Sequence, residues 1–129
     1  MPDGEDTHVT RVLYVEDHEA QRDIMGRMLG LYGYEVDLAC DGEEGMEKAR
    51  EWHPNVVLMD IGLPGQIDGF TAIRQLRDSP GTKDIPIFAL SVLDTVKYKT
   101  QALRAGADIH FTKPVPIDKL TAAINRRLG

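Results

Sequence analysis

The chain has 129 residues, 42% hydrophobic and 28% charged, with a formal net charge of −6. That length suits one ordinary domain, and the composition is that of a folded soluble protein rather than a disordered one. The acidic balance argues against non-specific nucleic-acid or anionic-membrane binding, no apolar run approaches the roughly 20 residues of a membrane span, and the single cysteine, Cys40, rules out an intrachain disulfide and fits a reducing cytoplasm.

Residues 1–9 read as a flexible, acidic N-terminal tail without the marks of a signal or transit peptide, and 10–129 as one folded domain. Arg11–Val15 (RVLYV) predicts a strand that breaks into Glu16-Asp17. A helical stretch follows, with Ala20, Ile24, Met28 and Leu31 spaced to share one face and Gly30 and Gly33 marking its end. Tyr34–Ala39 predicts the second strand and Gly42–Trp52 a helix, and His53-Pro54-Asn55 turns into the third strand, Val56–Asp60. Gly69–Arg77 predicts a short helix with Phe70, Ile73 and Leu76 available for packing. After a turn-rich connector, Asp78–Pro86, the pattern gives a strand at Ile87–Leu90, a helix at Thr95–Ala105 stopped by Gly106, and a strand at Ile109–Thr112. Pro116 opens a last helix with Ile117, Leu120, Ile124 and Leu128 at helical spacing. A β-α unit repeated five times, with short apolar strands, predicts a parallel sheet covered by helices on both faces. With the last helix ending the chain, one domain is expected.

Ligands of such a sheet bind outside the carboxyl ends of its strands. The first strand ends on Glu16-Asp17, the second on Cys40-Asp41, the third on Asp60 and the fourth on Ser91, and the fifth runs into Lys113-Pro114. Singly, each has an ordinary explanation: an acidic helix start, a turn residue, a hydroxyl cap, a solvated charge. Together they put several carboxylates, a hydroxyl and a lysine on one edge. Clustered carboxylates repel, and a hard divalent cation with oxygen ligands relieves them. With a lysine to neutralise phosphoryl oxygens, the set suits phosphoryl transfer to Asp60.

In order and spacing, VLYVED, VVLMDIGLP followed by DG, FALS, the AGA before the fifth strand and FTKP resemble the CheY-like receiver domain of bacterial two-component response regulators, over Arg11–Leu128. The resemblance implies a flavodoxin-like (βα)5 fold, a doubly wound α/β sandwich with parallel strands in the order 2-1-3-4-5. It implies that Asp60 is the phosphoacceptor and Asp17 a direct Mg2+ ligand, with Mn2+ an alternative. Glu16 would act mainly through a metal-bound water, and the Gly62 backbone carbonyl would complete the protein ligands. Ser91 matches the hydroxyl that moves to bond the phosphoryl group, Lys113 the lysine that pairs with it, and the Lys113–Pro114 bond is expected to be cis. The implied donor is a sensor histidine kinase or histidine phosphotransfer protein, and the implied output is a downstream protein effector or a phosphorylation-dependent homodimer. The output face would comprise the fourth helix, fifth strand and fifth helix, with Tyr98, Gln101 and Ala105 as contacts. The resemblance further implies a cytoplasmic switch, not a turnover enzyme, without direct nucleic-acid or membrane contact, either stand-alone or part of a longer protein such as a hybrid kinase.

Four positions depart from the family pattern. Glu16 stands where Asp is commoner, and the loop Gly65-Gln66-Ile67 is one residue longer than usual. Val92 follows Ser91 where Ala or Gly is commoner, which would restrict access. His110 occupies the switch position of a Tyr or Phe, where it reads either as a partly exposed strand histidine or as a switch residue. His18 is expected at a helix-start surface rather than on a metal, Trp52 at a helix end, and Lys97, Lys99 and Arg104 on a solvated face. A receiver-like module that never carries phosphate is the competing reading. An enzyme on a similar sheet fits poorly, because Gly62 stands where a dehalogenase-type phosphatase needs a second aspartate and no P-loop is present.

Overall fold

The five apolar runs become five parallel strands: β1 (Arg11–Val15), β2 (Glu35–Ala39), β3 (Val56–Asp60), β4 (Ile87–Ser91) and β5 (Ile109–Thr112). They alternate with α1 (Glu19–Leu31), α2 (Gly42–Trp52), α3 (Gly69–Asp78), α4 (Val96–Ala105) and α5 (Ile117–Leu128). This is a computed structural model, and it describes residues 9–63, 65, 67–92 and 96–128. The N-terminal stretch 1–8, Pro64 and Gln66 of the lengthened loop, and Thr95 lie outside the described residues. The strand order is β2-β1-β3-β4-β5, the expected one. Among the described residues no helix is long and apolar enough to cross a membrane.

Strand side chains alternate between two cores, as a period of two requires. Leu13, Val15, Val57, Met59, Ile87 and Ala89 pack with α2, α3 and α4 through Met46, Ala49, Ile73, Leu76 and Ala102. Val12, Tyr14, Val56, Leu58, Phe88 and Leu90 pack with α1 and α5 through Leu29, Leu120 and Ile124. β3 and β4 are buried along their full length, which explains their unbroken apolar sequence.

α1 is turned differently from the expectation. Ile24 is 59% and Leu31 86% exposed, Ala20 is exposed as well, and the sheet is instead met by Leu29 and Met25. The helix carries two apolar stripes, and β2 leaves room for only one. Asp41 also departs from its expected company. Its side chain accepts from the Glu44 amide at 2.8 Å while Glu44 Oε1 accepts from the Cys40 amide at 2.7 Å, a reciprocal cap of α2. It belongs to the helix start, not to the strand-edge cluster.

At the opposite edge Arg77 ties α3 to β4 and β5. It donates to the carbonyls of Gly106 (2.8 Å), Lys83 (2.8 Å) and Ile85 (2.6 Å) and to Asp108 Oδ2 (2.8 Å), and Asp108 Oδ2 also accepts from the Ile87 amide at 2.8 Å. Arg127 reaches Asp108 Oδ1 from α5 at 2.6 Å. Arg77→Ala strands these acceptors together, so urea denaturation is expected to show a loss of about 2 kcal/mol. Unchanged stability would mean that water replaces the guanidinium without penalty.

Candidate functional site

β1 and β3 are neighbours paired with Val15 opposite Met59, so the residues that follow, Glu16 and Asp60, emerge side by side. They stand where the strand order reverses, with β2 on one side and β4 on the other. Behind Asp60 the chain turns through Ile61 and Gly62 to α3, capped by Asp68, which accepts from Thr71 N at 2.8 Å. Gly69 is needed there, because a Cβ would come within 2.4 Å of the Asp60 carbonyl oxygen.

Lys113, just past β5, reaches back over this edge. Its ammonium contacts Glu16 Oε1 directly and lies 3.2 Å from Asp60 Oδ2. Asp60 Oδ1 accepts from the Gly62 amide at 3.0 Å. Glu16 is 0% exposed and held on both oxygens. Tyr14 donates its hydroxyl to Oε1 at 2.9 Å, while Oε2 accepts from the His18 amide at 3.2 Å and faces His18 Nδ1 at 3.1 Å. The Arg22 guanidinium donates to the Glu16 carbonyl at 2.9 Å.

The two carboxylates divide the available charge unequally. Burial works against the Glu16 carboxylate, but hydrogen bonds from Lys113, Asp60 and the His18 amide outweigh it and hold its pKa down at about 2. Asp60 is pushed up to about 6, first by burial and then by its hydrogen bond with Glu16, with Lys113 and the Gly62 amide opposing. Tyr14 is raised by burial and by the neighbouring carboxylates, so its hydroxyl stays a donor.

The donor set fits a divalent cation. Glu16, Asp17, His18 and Asp60 each present a ligand atom, all within 4.8 Å of one another. Among the described residues Asp17 Oδ1 is buried without a hydrogen-bond partner, an expensive position that a bound cation relieves. Asp17 and Asp60 offer the hard oxygens that Mg2+ or Mn2+ takes, while Glu16, already engaged by protein donors, stands behind them. Gly62 contributes its amide to Asp60. His18 is exposed, as expected, yet its ring faces Glu16 and lies 3.5 Å from Asp17 Oδ1, which the sequence reading did not foresee. Tyr14 was also missed; the one signal for it is a phenol inside the otherwise aliphatic VLYV run.

Ser91 ends β4, and its carbonyl accepts from the Lys113 amide at 2.7 Å. Its hydroxyl lies 2.9 Å from His110 Nε2. The cleft over these groups, about 440 Å³, is lined by His18, Asp60, Gly62, Ser91, Val92 and Lys113 among others. Val92 stands at its rim, 71% exposed. The Lys113–Pro114 bond is cis, as expected. Of the expected output contacts, Gln101 is exposed and Tyr98 half-buried against Phe70, but Ala105 is buried in the core and offers no contact. Lys97, Lys99 and Arg104 are exposed, and Trp52 packs at the end of α2 with Arg11 over its ring.

A family model described as the response regulator receiver domain matches residues 12–125. The chain belongs to that family. Curated relatives of this receiver domain include the DNA-binding dual master transcriptional regulator RpaA of Synechocystis sp., 34% identical over 92% of the chain and 48% of the relative. The response regulator MprA of Mycobacterium leprae is 36% identical over 92% of the chain and 50% of the relative. The chain thus spans about half the length of the curated relatives it matches. Among solved structures, the receiver domain of the Pseudomonas aeruginosa sensor histidine kinase PA1611, with magnesium coordinated in its active-site cleft, superposes with a TM-score of 0.87 at 29% identity, over 95% of this chain and 99% of that one. Its CheY-like fold and its place in two-component signalling follow from the family.

Proposed function

We propose that this receiver domain accepts a phosphoryl group on Asp60 from the phosphohistidine of a sensor histidine kinase or histidine phosphotransfer protein. The observation that carries the reading is a buried aspartate beside a lysine ammonium and within 4.8 Å of a ligand oxygen of Asp17, whose buried Oδ1 has no hydrogen-bond partner among the described residues. One Asp60 oxygen attacks phosphorus in line, a P–O bond forms as the P–N bond breaks, and the released imidazole nitrogen keeps the electron pair and takes a proton. Lys113 offsets charge on the phosphoryl oxygens, and Ser91 turns its hydroxyl to donate to one of them. A divalent cation held by Asp17 and Asp60, with Glu16 behind, would supply further neutralisation of those oxygens.

One phosphoryl group per chain makes this a switch rather than a turnover enzyme. Its output runs through α4, β5 and α5, where Val96, Leu103 and the basic side chains Lys97, Lys99 and Arg104 are exposed. That face suits a protein effector or a second copy, whereas a domain of net charge −6 is a poor nucleic-acid surface. The test is intact-mass measurement with acetyl phosphate and Mg2+. A gain of one phosphoryl group that disappears with chelator is expected. A folded protein that gains nothing under either condition would leave the phosphate-independent interaction module as the reading.

A further inference from the structure

We propose that His18 is a metal ligand in this chain, so that the acidic cleft takes a first-row divalent transition ion through a nitrogen as well as carboxylate oxygens, whereas Mg2+ uses the oxygens alone. The inference rests on the receiver reading above for the place of the cation and adds which cation the cleft prefers. Three observations carry it. His18 stands at the N-cap of α1, yet among the described residues its side chain caps no amide. Its ring turns toward the cluster instead, with Nδ1 3.1 Å from Glu16 Oε2 and 3.5 Å from Asp17 Oδ1. Asp17 Oδ1 is itself buried with no hydrogen-bond partner among the described residues, and one ligand atom each from Glu16, Asp17, His18 and Asp60 falls within 4.8 Å of the others.

The main chain holds His18 in place. Its amide donates to Glu16 Oε2 at 3.2 Å and its carbonyl accepts from the Arg22 amide at 2.9 Å, so the ring moves only about its own side-chain torsions. A ring nitrogen facing a carboxylate oxygen at 3.1 Å carries a proton in the metal-free protein. A cation takes the place of that proton. Nδ1 releases it to solvent, Nε2 of this exposed side chain takes one up, and the freed Nδ1 lone pair meets the metal. Ligand atoms bound to one ion at about 2.1 Å lie no more than about 4.2 Å apart, so small side-chain rotations close the observed spread. Mg2+ seeks oxygen and gains little from an imidazole, while Co2+, Ni2+ and Zn2+ gain from it.

Calorimetric titration with Co2+ and with Mg2+ tests this on wild type, His18→Ala and Asp17→Ala. Wild type is expected to bind Co2+ more tightly than Mg2+. His18→Ala should lose at least about ten-fold in Co2+ affinity and keep its Mg2+ affinity. Asp17→Ala should lose both ions, which places Co2+ in the cleft rather than on a surface histidine. The visible absorption of the Co2+ complex supplies a signature that a merely structural role leaves unmoved. At saturating Co2+ the bands should shift in His18→Asn as they do in His18→Ala, although asparagine keeps a polar group at the helix start. Equal Co2+ affinity in wild type and His18→Ala, unmoved bands, or Co2+ binding undiminished in Asp17→Ala would overturn the proposal. An equal loss of Mg2+ and Co2+ in His18→Ala would overturn it too, because His18 would then support Glu16 and Asp17 without touching the ion. If any of these comes with phosphoryl uptake in Mg2+ intact, the receiver reading stands without this ligand. If Co2+ binding depends on His18 but acetyl phosphate delivers no phosphoryl group, the receiver reading has failed while the nitrogen ligand stands.

Discussion

Asp60→Asn is expected to abolish phosphoryl uptake and, in metal-free buffer at neutral pH, to make the fold more stable rather than less. The first half follows from losing the nucleophilic carboxylate. The second follows from where that carboxylate sits. Asp60 is 5% exposed, beside an ionised Glu16, and its pKa is raised from about 3.8 to about 6 by burial and by Glu16. A group with a raised folded-state pKa favours folding when protonated, so its contribution is full below about 4 and is lost as pH rises through about 6. At neutral pH the charge therefore opposes folding, by about 3 kcal/mol at this size of shift. Asparagine removes the charge and keeps an oxygen for the Gly62 amide. Urea denaturation of the two proteins should show no gap near pH 4, a widening one toward pH 6 and a constant one above. Mg2+ should then stabilise wild type more than Asp60→Asn and narrow the gap, since a ligand of the folded state stabilises by mass action. A variant less stable than wild type at every pH would mean that Lys113 and Gly62 already compensate the buried charge in full.

Most of the architecture was legible because strand pattern and turn chemistry agree. The apolar runs of β1, β3 and β4, each ending on a polar residue, specify buried parallel strands and the edge where function gathers. The orientation of α1 was not legible. Ala20, Ile24, Met28 and Leu31 recur at helical spacing, yet so do Met25 and Leu29, and periodicity does not rank two stripes on one helix. Only the packing against β2 and α5 decides. Asp41 was misread for a related reason: a carboxylate at a strand end is also a carboxylate at the next helix start, and the reciprocal partner Glu44 settles which role it takes. Within the site, the residue types predicted the cluster, but not who holds whom. Lys113 was expected on the phosphoryl group, and in the resting protein it contacts Glu16, whose extra methylene relative to Asp extends its reach. Tyr14, the second hydrogen-bond donor on Glu16 Oε1, is hidden in a strand whose other residues need only be apolar. The Ser91–His110 pair depends on a diagonal between strands, information that lies in register rather than in any single motif.

Lys113→Ala is expected to be the most destabilising single change at the site, costing about 3 kcal/mol in metal-free buffer at neutral pH. The reason is Glu16 more than Asp60. Glu16 is fully buried, and the Lys113 ammonium is the cation against it, so removing the lysine leaves an ionised carboxylate inside the protein held, among the described residues, by the Tyr14 hydroxyl, the His18 contacts and Asp60. The pH dependence separates this cause from lost packing of the lysine stem. The Glu16 pKa is depressed from about 4.5 to about 2, so the stability it contributes is present above about 4.5 and lost as pH falls toward 2. The gap between wild type and Lys113→Ala should therefore be full at neutral pH and shrink between about 4.5 and 2. Adding Glu16→Gln to Lys113→Ala should recover most of the loss, because the amide needs no counter-charge and can still accept from Tyr14. If the gap stays constant down to pH 2, and the double variant is no better than the single, then Lys113 acts on stability through its aliphatic stem, and its pairing with Glu16 contributes little.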